Sequence, residues 1–284
     1  MRLCRYNDDR LGYIKGDQII DVTDALGVIP EARWPLPPGD RFIAHFKAVC
    51  AEVDRQQKGS FVQLVKSVKL LSPVANPTKV IGAPANYLKH VEEAKTDAGI
   101  NYGRASQTID AYGLFLKNPT LVGPGEGVAT QFAERRVDHE VELAIIIGKT
   151  AKRVPYDNAL EYVAGYAIGL DMTVRGKEDR SQRKAIDGFS VLGPWIVSAD
   201  EVKDPDNLEF SITVNGEPRQ KSNTKYQIFN CRKLIEYATK FYTLYPGDVI
   251  MTGTPEGVGP VAPGDVMHCE IETIGSMDVA VRAN

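Results

Sequence analysis

Two glutamates that could bind a cation lie in one apolar segment of the chain. Glu140 and Glu142 are two residues apart within residues 137–148, where β-branched residues dominate and a strand is predicted. Because side chains alternate along a strand, both carboxylates face the same side, about 7 Å apart. Asp171 ends a second apolar run, residues 163–170, and is a natural third member of the group.

Two interpretations of these acids are open. Carboxylates at this spacing repel one another, so either their face is solvated or a cation lies on it. The apolar residues around the pair and the third acid favour the cation. Three carboxylates without cysteine or paired histidine predict Mg²⁺ or Mn²⁺, with Ca²⁺ as a further candidate. Open coordination positions would accept a 2-oxo acid, which chelates through its keto and carboxylate oxygens.

Composition restricts the class of protein. The 284 residues are 43% hydrophobic and 25% charged, with a net charge of −3 and interleaved signs, so we expect a globular protein without a nucleic-acid surface. No apolar run approaches the roughly 18 residues of a membrane span, and the polar start lacks a targeting signal. The scattered cysteines (Cys4, Cys50, Cys231 and Cys269) predict reduced thiols in a cytoplasm.

The chain is predicted to fold as two units, residues 1–72 and 73–284. The first contains short strands and one helix over 42–55, and it ends in a proline-containing linker over 71–77. The second is rich in short, mostly antiparallel strands, with a hairpin at Asn215-Gly216. A helix over 230–242 begins at the capping residue Asn230. A doubly wound nucleotide-binding fold is not expected, because regular βαβ alternation is missing.

Several motifs, in this order, resemble those of the fumarylacetoacetate hydrolase family. The resemblance extends over about residues 78–282 and is greatest for the shorter members: acylpyruvate hydrolases, oxaloacetate decarboxylases and homoprotocatechuate-pathway isomerase/decarboxylases. The matching segments are a lid segment at 86–93, an E-x-E metal strand at 138–144, a third-ligand strand at 165–175, a lysine segment at 184–195, and a closing signature at 246–248 and 252–259.

The resemblance implies a mixed α/β, β-rich fold, with a small N-terminal α/β domain and a larger mixed β-roll domain. It also implies a homodimer that binds a small oxo-carboxylate. From the charge pattern and the short apolar runs, neither nucleic acid nor membrane is expected as a partner. The implied site residues are the metal ligands Glu140, Glu142 and Asp171, the catalytic residues His90, Glu93 and Lys184, and the substrate-binding residues Arg175, Gly253 and Thr254.

The lid segment carries the residues that favour hydrolysis. His90 and Glu93 are three residues apart and are neighbours if the segment is helical, so that the carboxylate orients the ring and raises its basicity. An exposed helix with an ordinary histidine is the alternative interpretation. His139 alternates with the two glutamates, so it is predicted to pack on the opposite face of the strand and not to bind metal.

The predicted activity is metal-dependent hydrolysis of a C–C bond in a small 2,4-dioxo acid, such as an acylpyruvate or fumarylpyruvate, through a metal-chelated enolate. A decarboxylase or isomerase of a small oxo-dicarboxylate is the first alternative, and a non-catalytic metal-binding protein is the second. The chain departs from the family at Gly176, where Asp is usual, and at Glu178, where Gln is frequent. An acid at position 178 changes the expected substrate polarity, and residues 176–183 are predicted to form a charged loop.

Overall fold

A computed structural model describes residues 1–56, 62–103, 106–130, 132 and 134–283. The β-rich mixed fold that the sequence predicts is confirmed. The strands are β1 (Arg2–Tyr6), β2 (Arg10–Lys15), β3 (Gln18–Asp21), β4 (Val62–Leu64), β5 (Leu70–Leu71), β6 (Val80–Gly82), β7 (Phe115–Lys117), β8 (Val128–Thr130), β9 (Val137–His139), β10 (Val141–Ile147), β11 (Val163–Asp171), β12 (Thr173–Val174), β13 (Ser190–Ser198), β14 (Glu209–Val214), β15 (Glu217–Asn223), β16 (Val249–Met251), β17 (Gly259–Pro260), β18 (Val266–Ile271) and β19 (Gly275–Ala283). The helices are α1 (Arg41–Ala44), α2 (Phe46–Gln56), α3 (Leu88–Thr96), α4 (Ala98–Asn101), α5 (Ile109–Tyr112), α6 (Arg180–Lys184) and α7 (Cys231–Phe241).

The strands of the described chain form three sheets. The largest has the order β4-β3-β2-β1-β13-β11-β10-β16-β6-β7, with β5 also paired to β1. Its neighbours are antiparallel except for β16 and β6, which are parallel. The second sheet has the order β12-β9-β17, and the third has the order β15-β14-β18-β19-β8.

Strand β10 lies at the centre of the molecule and is buried on both faces. Leu143 and Ile145 belong to one hydrophobic cluster, and Ala144 and Ile146 belong to the other. Fully burying a Leu or Ile side chain contributes roughly 1.5–3 kcal/mol, so this strand is a stable base for the charged residues at its start.

The strand predicted over 137–148 is interrupted, which corrects the sequence-based boundary. Pairing stops at Glu140: β9 belongs to the small sheet with β12 and β17, while β10 enters the large sheet. The predicted helix over 42–55 is similarly divided at His45 into α1 and α2. These breaks depend on pairing partners that are distant in the sequence.

The prediction of a loop throughout residues 176–183 is wrong at its end, because helix α6 begins at Arg180. The Asp179 side chain accepts hydrogen bonds from the Ser181 backbone N–H at 2.9 Å and from its hydroxyl at 2.6 Å. This is a side-chain cap of the kind that starts helices, and it gives the charged segment a defined structure.

The predicted hairpin and the predicted helix cap are both confirmed. Asn215 and Gly216 have φ of 53° and 83°, as a tight two-residue turn requires. Asn230 accepts a hydrogen bond from the backbone N–H of Lys233 at 2.9 Å, at the start of α7.

The first 72 residues extend the large sheet, since β1 pairs with β13 in an antiparallel manner. Their separation from residues 73–284 as a domain of their own stays a prediction. Within the described part of the chain, no helix combines the length and the apolar character needed to cross a membrane.

Candidate active site

The structure brings together the three acids that the sequence singles out. Glu140 precedes β10, Glu142 is the second residue of β10, and Asp171 ends the neighbouring strand β11. The Asp171 backbone N–H donates to the Glu140 carbonyl at 2.9 Å, which fixes the two strand ends against each other. One carboxylate oxygen from each residue lies within 4.8 Å of the others, and all three side chains are buried.

Two cationic side chains pair with Glu140. Lys184 Nζ donates to Glu140 Oε2 at 2.6 Å and to Asp171 Oδ2 at 2.7 Å. Arg175 donates to Glu140 Oε1 at 2.9 Å and to Asp138 Oδ2 at 2.8 Å. Burial raises the pKa of Glu140, but the charges of Lys184 and Arg175 outweigh it and hold this pKa below its ordinary value. Glu140 is therefore ionised.

The negative charge of the Glu142 carboxylate is compensated much less than that of Glu140. Its Oε2 accepts one backbone hydrogen bond, from Gly253 at 2.7 Å, and no described lysine or arginine forms an ion pair with it. Burial, together with the charges of Asp171 and Glu140, raises the pKa of Glu142 well above its ordinary value. A divalent cation among the three carboxylates would supply the missing charge, and their oxygens suit a hard cation. The residues therefore fit a metal of the predicted kind.

Lys117 is a buried charged residue of the site that the sequence analysis did not identify. Its Nζ pairs with Asp171 Oδ1 and donates to the backbone carbonyls of Lys184 at 2.8 Å and Phe189 at 3.2 Å. Burial lowers the pKa of Lys117, and the charge of Asp171 opposes that shift. The sequence contains one feature that could have identified this residue: Lys117 ends the apolar run 114–117, just as Asp171 ends its own strand.

The His90–Glu93 pair lies on helix α3 at the edge of the acidic cluster. His90 Nδ1 is 2.9 Å from Glu93 Oε2, and Glu93 Oε1 accepts from the backbone N–H of Gly257 at 2.8 Å. The helix is therefore tied to the turn that follows β16. The His90 side chain is 11% exposed, so the interpretation of an ordinary exposed histidine does not describe it.

A turn at residues 252–254 completes the wall beside Glu142. Gly253 has a φ of +95°, and an added Cβ would lie 2.7 Å from Asn86 Cβ and 2.8 Å from the Ala83 carbonyl oxygen. Only glycine fits this left-handed position without strain. Its N–H thereby points at the Glu142 carboxylate.

Gln220, on strand β15, holds the neighbouring residue Thr254. Its Nε2 donates to Thr254 Oγ1 at 2.7 Å, and its Oε1 lies 3.1 Å from His139 Nδ1. His139 thus faces Gln220 and not the three acids, as its alternation along the strand predicts. No motif in residues 217–223 marks Gln220, because its role depends on contact with a distant turn.

These side chains border a cavity of about 100 Å³, which is small beside the roughly 300–1,000 Å³ of sites for drug-sized ligands. Glu93 and Gly253 stand behind the wall, each bonded to a residue that lines it. The predicted site residues in the lining are His90, Glu140, Glu142, Asp171, Arg175, Lys184 and Thr254.

The two departures from the family pattern are structurally linked. Glu178 Oε2 accepts from Arg135 at 2.9 Å, and Arg135 also donates to the Arg175 carbonyl at 2.9 Å. A Cβ on Gly176 would lie 2.2 Å from both Arg135 Nη2 and Glu178 Oε2. Of the described residues, those that line the cavity include Gly176 but not Glu178. Glu178 is therefore connected through Arg135 to the backbone of Arg175, and its effect on substrate polarity stays a prediction.

Comparison with known proteins identifies the family. Residues 79–282 match the family described as fumarylacetoacetate (FAA) hydrolase C-terminal. The chain belongs to the fumarylacetoacetate hydrolase family. This match covers every predicted site residue, from His90 to Thr254.

Relatives of this fumarylacetoacetate hydrolase family member have named activities. A maleylpyruvate hydrolase of Aquipseudomonas alcaligenes is 54% identical over 286 residues, which is 100% of both chains. A crystal structure of maleylpyruvate hydrolase from Sphingobium sp. SYK-6, in complex with manganese(II) ion and pyruvate, has a TM-score of 0.84 at 39% identity and 100% coverage of both chains. A mitochondrial oxaloacetate tautomerase of Rattus norvegicus is 37% identical over 220 residues, 73% of this chain and 67% of that protein.

Proposed function

We propose that this protein is a divalent-metal-dependent hydrolase that cleaves a C–C bond in a small 2,4-dioxo acid of the maleylpyruvate type. The observation that carries the proposal is that one small cavity is bordered by three buried carboxylates and by His90. The whole-length relative named a maleylpyruvate hydrolase supports the same reaction class.

Glu140, Glu142 and Asp171 would hold the metal, and Mn²⁺ or Mg²⁺ is proposed. Manganese is present in the related maleylpyruvate hydrolase structure, and oxygen ligands suit both ions. A bound divalent cation supplies Lewis acidity to carbonyl and carboxylate oxygens of the substrate. Lys117, Lys184 and Arg175 keep part of the negative charge neutralised and hold the carboxylates in place.

His90 is the proposed general base. Its Nδ1 faces Glu93, so Nε2 takes the proton from water while Glu93 stabilises the imidazolium. The hydroxide adds to the C4 carbonyl carbon, and the C3–C4 bond breaks with its electron pair passing to C3. The resulting enolate regains a proton from His90 at C3. Water is consumed, and the products are a carboxylic acid and a 2-oxo acid.

Lys184, Arg175 and the 253–254 turn are the proposed substrate-facing groups. The Lys184 ammonium lies beside Glu140 and Asp171, where it favours negative charge that develops on the enolate oxygen. Arg175 adds a second fixed positive charge through a side chain that is 5% exposed. Thr254 Oγ1 donates to the Val141 carbonyl at 2.9 Å and accepts from Gln220 Nε2 at 2.7 Å, so one lone pair remains for a donor group of the substrate.

A decarboxylase or isomerase of a small oxo-dicarboxylate is the second candidate. It is favoured by the relative named an oxaloacetate tautomerase. The same enolate stabilisation serves that chemistry when water does not attack, and the base then moves a proton between substrate atoms.

The test measures three substrates side by side on protein loaded with Mn²⁺ after removal of bound metal. Maleylpyruvate, acetylpyruvate and oxaloacetate are each followed by loss of absorbance and by product analysis. We expect cleavage of the dioxo acids to pyruvate, and no turnover in EDTA. Oxaloacetate conversion without cleavage of either dioxo acid would replace the hydrolase with the second candidate.

We further propose that the protein is a homodimer in the cytoplasm. The four cysteines are free, and three of them are buried, which suits a reducing compartment. Light scattering of the purified protein measures the assembly directly, with about twice the 31.2 kDa chain mass expected.

A further inference from the structure

The cavity has a second cationic wall, which the proposed chemistry does not use. Arg180 begins helix α6, lines the same cavity as the acidic cluster, and is half-buried. In the described part of the chain, no carboxylate lies within ion-pair distance of its guanidinium. Arg175 and Lys184 differ in this respect, because both are paired with the acidic cluster.

The aromatic ring of Tyr112 packs against the Arg180 side chain. The guanidinium carbon is 4.0 Å from the centroid of the Tyr112 ring, which is a stacking distance. Stacking uses the flat face of a guanidinium and leaves its N–H edge available for a planar anion. A carboxylate accepts two parallel hydrogen bonds from that edge.

The spacing along α6 relates Arg180 to the acidic cluster. Arg180 and Lys184 are four residues apart in one helix, so they are neighbours on one face, with Cβ atoms about 5–6 Å apart. Lys184 reaches Glu140 and Asp171 from this face, and Arg180 lies one turn earlier. A substrate with one end at the acidic cluster therefore has Arg180 as a neighbour in the lining of the same cavity.

We infer that Arg180, supported by Tyr112, binds the distal carboxylate of a dicarboxylic dioxo acid. The inference rests on the proposed function, since the other end of the substrate occupies the acidic cluster. It makes Arg180 a specificity-determining residue. Dioxo acids with a second carboxylate are preferred over acylpyruvates whose acyl group ends in a methyl.

The experiment compares kcat/KM for maleylpyruvate and acetylpyruvate in the Mn²⁺-loaded enzyme. In Arg180→Met the ratio of the two values falls by about 10- to 100-fold, as expected for losing a hydrogen-bonded charge partner. Arg180→Lys keeps the positive charge but lacks the two parallel N–H donors of a guanidinium, so it lowers the ratio less. Lys177→Met removes a positive charge from the same segment at an exposed position outside the cavity, and it leaves the ratio unchanged.

The ring is tested separately from the charge. Tyr112→Leu removes the stacking surface and lowers the ratio, whereas Tyr112→Phe keeps the ring and keeps the ratio. If Arg180→Met lowers kcat/KM equally for both substrates, Arg180 does not bind the distal carboxylate. That result would overturn the subsite but not the proposed hydrolase activity.

A binding readout separates failure of the subsite from failure of the reaction. Calorimetric titration with maleate, in the presence of Mn²⁺ and pyruvate, reports on the distal position without turnover. Arg180→Met is expected to weaken maleate binding by at least about tenfold. Equal maleate binding by wild type and Arg180→Met would overturn the Arg180 subsite. Failure of the wild-type enzyme to cleave either dioxo acid would contradict the proposed function instead. The binding result can be read in both cases, because it does not depend on turnover.

Discussion

Lys117 and Asp171 form a fully buried ion pair at the base of the acidic cluster, and the same Lys117 ammonium donates to the Lys184 carbonyl at 2.8 Å. One buried cation therefore connects a proposed metal ligand to the segment that carries the second lysine of the site. The pair joins strand β7 to strand β11 and helix α6, which are distant in sequence.

Removing this cation is expected to destabilise the metal-free protein. Lys117→Met leaves the Asp171 charge with one partner fewer and takes one donor from each of two buried carbonyls, so the unfolding free energy falls by about 3–5 kcal/mol. Saturating Mn²⁺ restores part of the loss, because ligand binding stabilises the folded state. Urea unfolding with EDTA and with Mn²⁺ measures both effects. Lys15→Met, at the exposed end of β2, is the control and changes stability by about 0.5 kcal/mol or less. Equal effects of the two substitutions would contradict the structural role of Lys117.

Glu142 is the ligand whose charge is least compensated, so its neutral analogue separates metal binding from folding. Glu142→Gln keeps an oxygen that accepts from Gly253 but removes the negative charge. We expect Mn²⁺ affinity to fall at least about 100-fold, and the metal-free variant to unfold at the wild-type temperature or above it, because a buried unpaired charge is unfavourable. Calorimetry measures the affinity, and thermal unfolding in EDTA measures the stability. Full turnover by the metal-stripped variant would exclude the proposed metal site.

The His90–Glu93 pair is expected to affect turnover more than metal binding. Glu93→Gln keeps the size of the side chain but removes the charge next to His90, so kcat falls about 10- to 100-fold. His90→Asn removes the base and lowers kcat by about 10²–10⁴-fold. Steady-state kinetics with maleylpyruvate give these values, and Mn²⁺ affinity stays within about twofold. Glu92→Gln, on an exposed position of the same helix, serves as the control. A loss of metal affinity in Glu93→Gln that equals the loss in kcat would assign Glu93 to the metal site.

Gly253 and Gly264 allow backbone strain to be separated from steric clash. Both have φ near +100°, but a Cβ at Gly253 would meet Asn86 and Ala83 below 3 Å, whereas Gly264 has no atom within 4 Å of that position. Gly264→Ala should cost about 1 kcal/mol from strain alone. Gly253→Ala should cost about 1–3 kcal/mol more and weaken Mn²⁺ binding, because the N–H that contacts Glu142 moves. Urea unfolding compares the two variants, and similar values would mean that the 252–254 turn adapts.

Asp21 gives a pH dependence that is remote from the site. Burial raises the pKa of Asp21, but hydrogen bonds from Arg10 and Tyr6 outweigh it and set the pKa at about 2. The unfolded chain, with a pKa of about 3.9, binds the proton first as pH falls. The stabilising contribution is therefore complete above about pH 4 and is lost as pH falls towards 2.

The variant Asp21→Asn measures that contribution. We expect it to be about 1–3 kcal/mol less stable than wild type at pH 7, and the difference to shrink as pH falls from about 4 to about 2. Urea unfolding at a series of pH values gives the difference, with the exposed Asp24→Asn as the control. A difference that is constant down to pH 2 would show that the ion pair does not carry the effect.

Local sequence determined the acids and the elements that carry them. Period-two alternation places Glu140 and Glu142 on one side, and Asp171 ends its own apolar run, because strand geometry depends only on neighbouring residues. The same reasoning correctly predicted the Asn215-Gly216 turn and the Asn230 cap. These features depend on interactions within a few residues.

Only the tertiary structure decided which distant groups surround the acids. Lys117 lies 54 residues from Asp171, and Gln220 lies 34 residues from Thr254. The break at Glu140 and the pairing of Glu178 with Arg135 likewise depend on neighbours from other elements. Charges and hydrogen bonds act through space across a few ångströms, so their partners follow from the packing of the sheets and not from the order of residues along the chain.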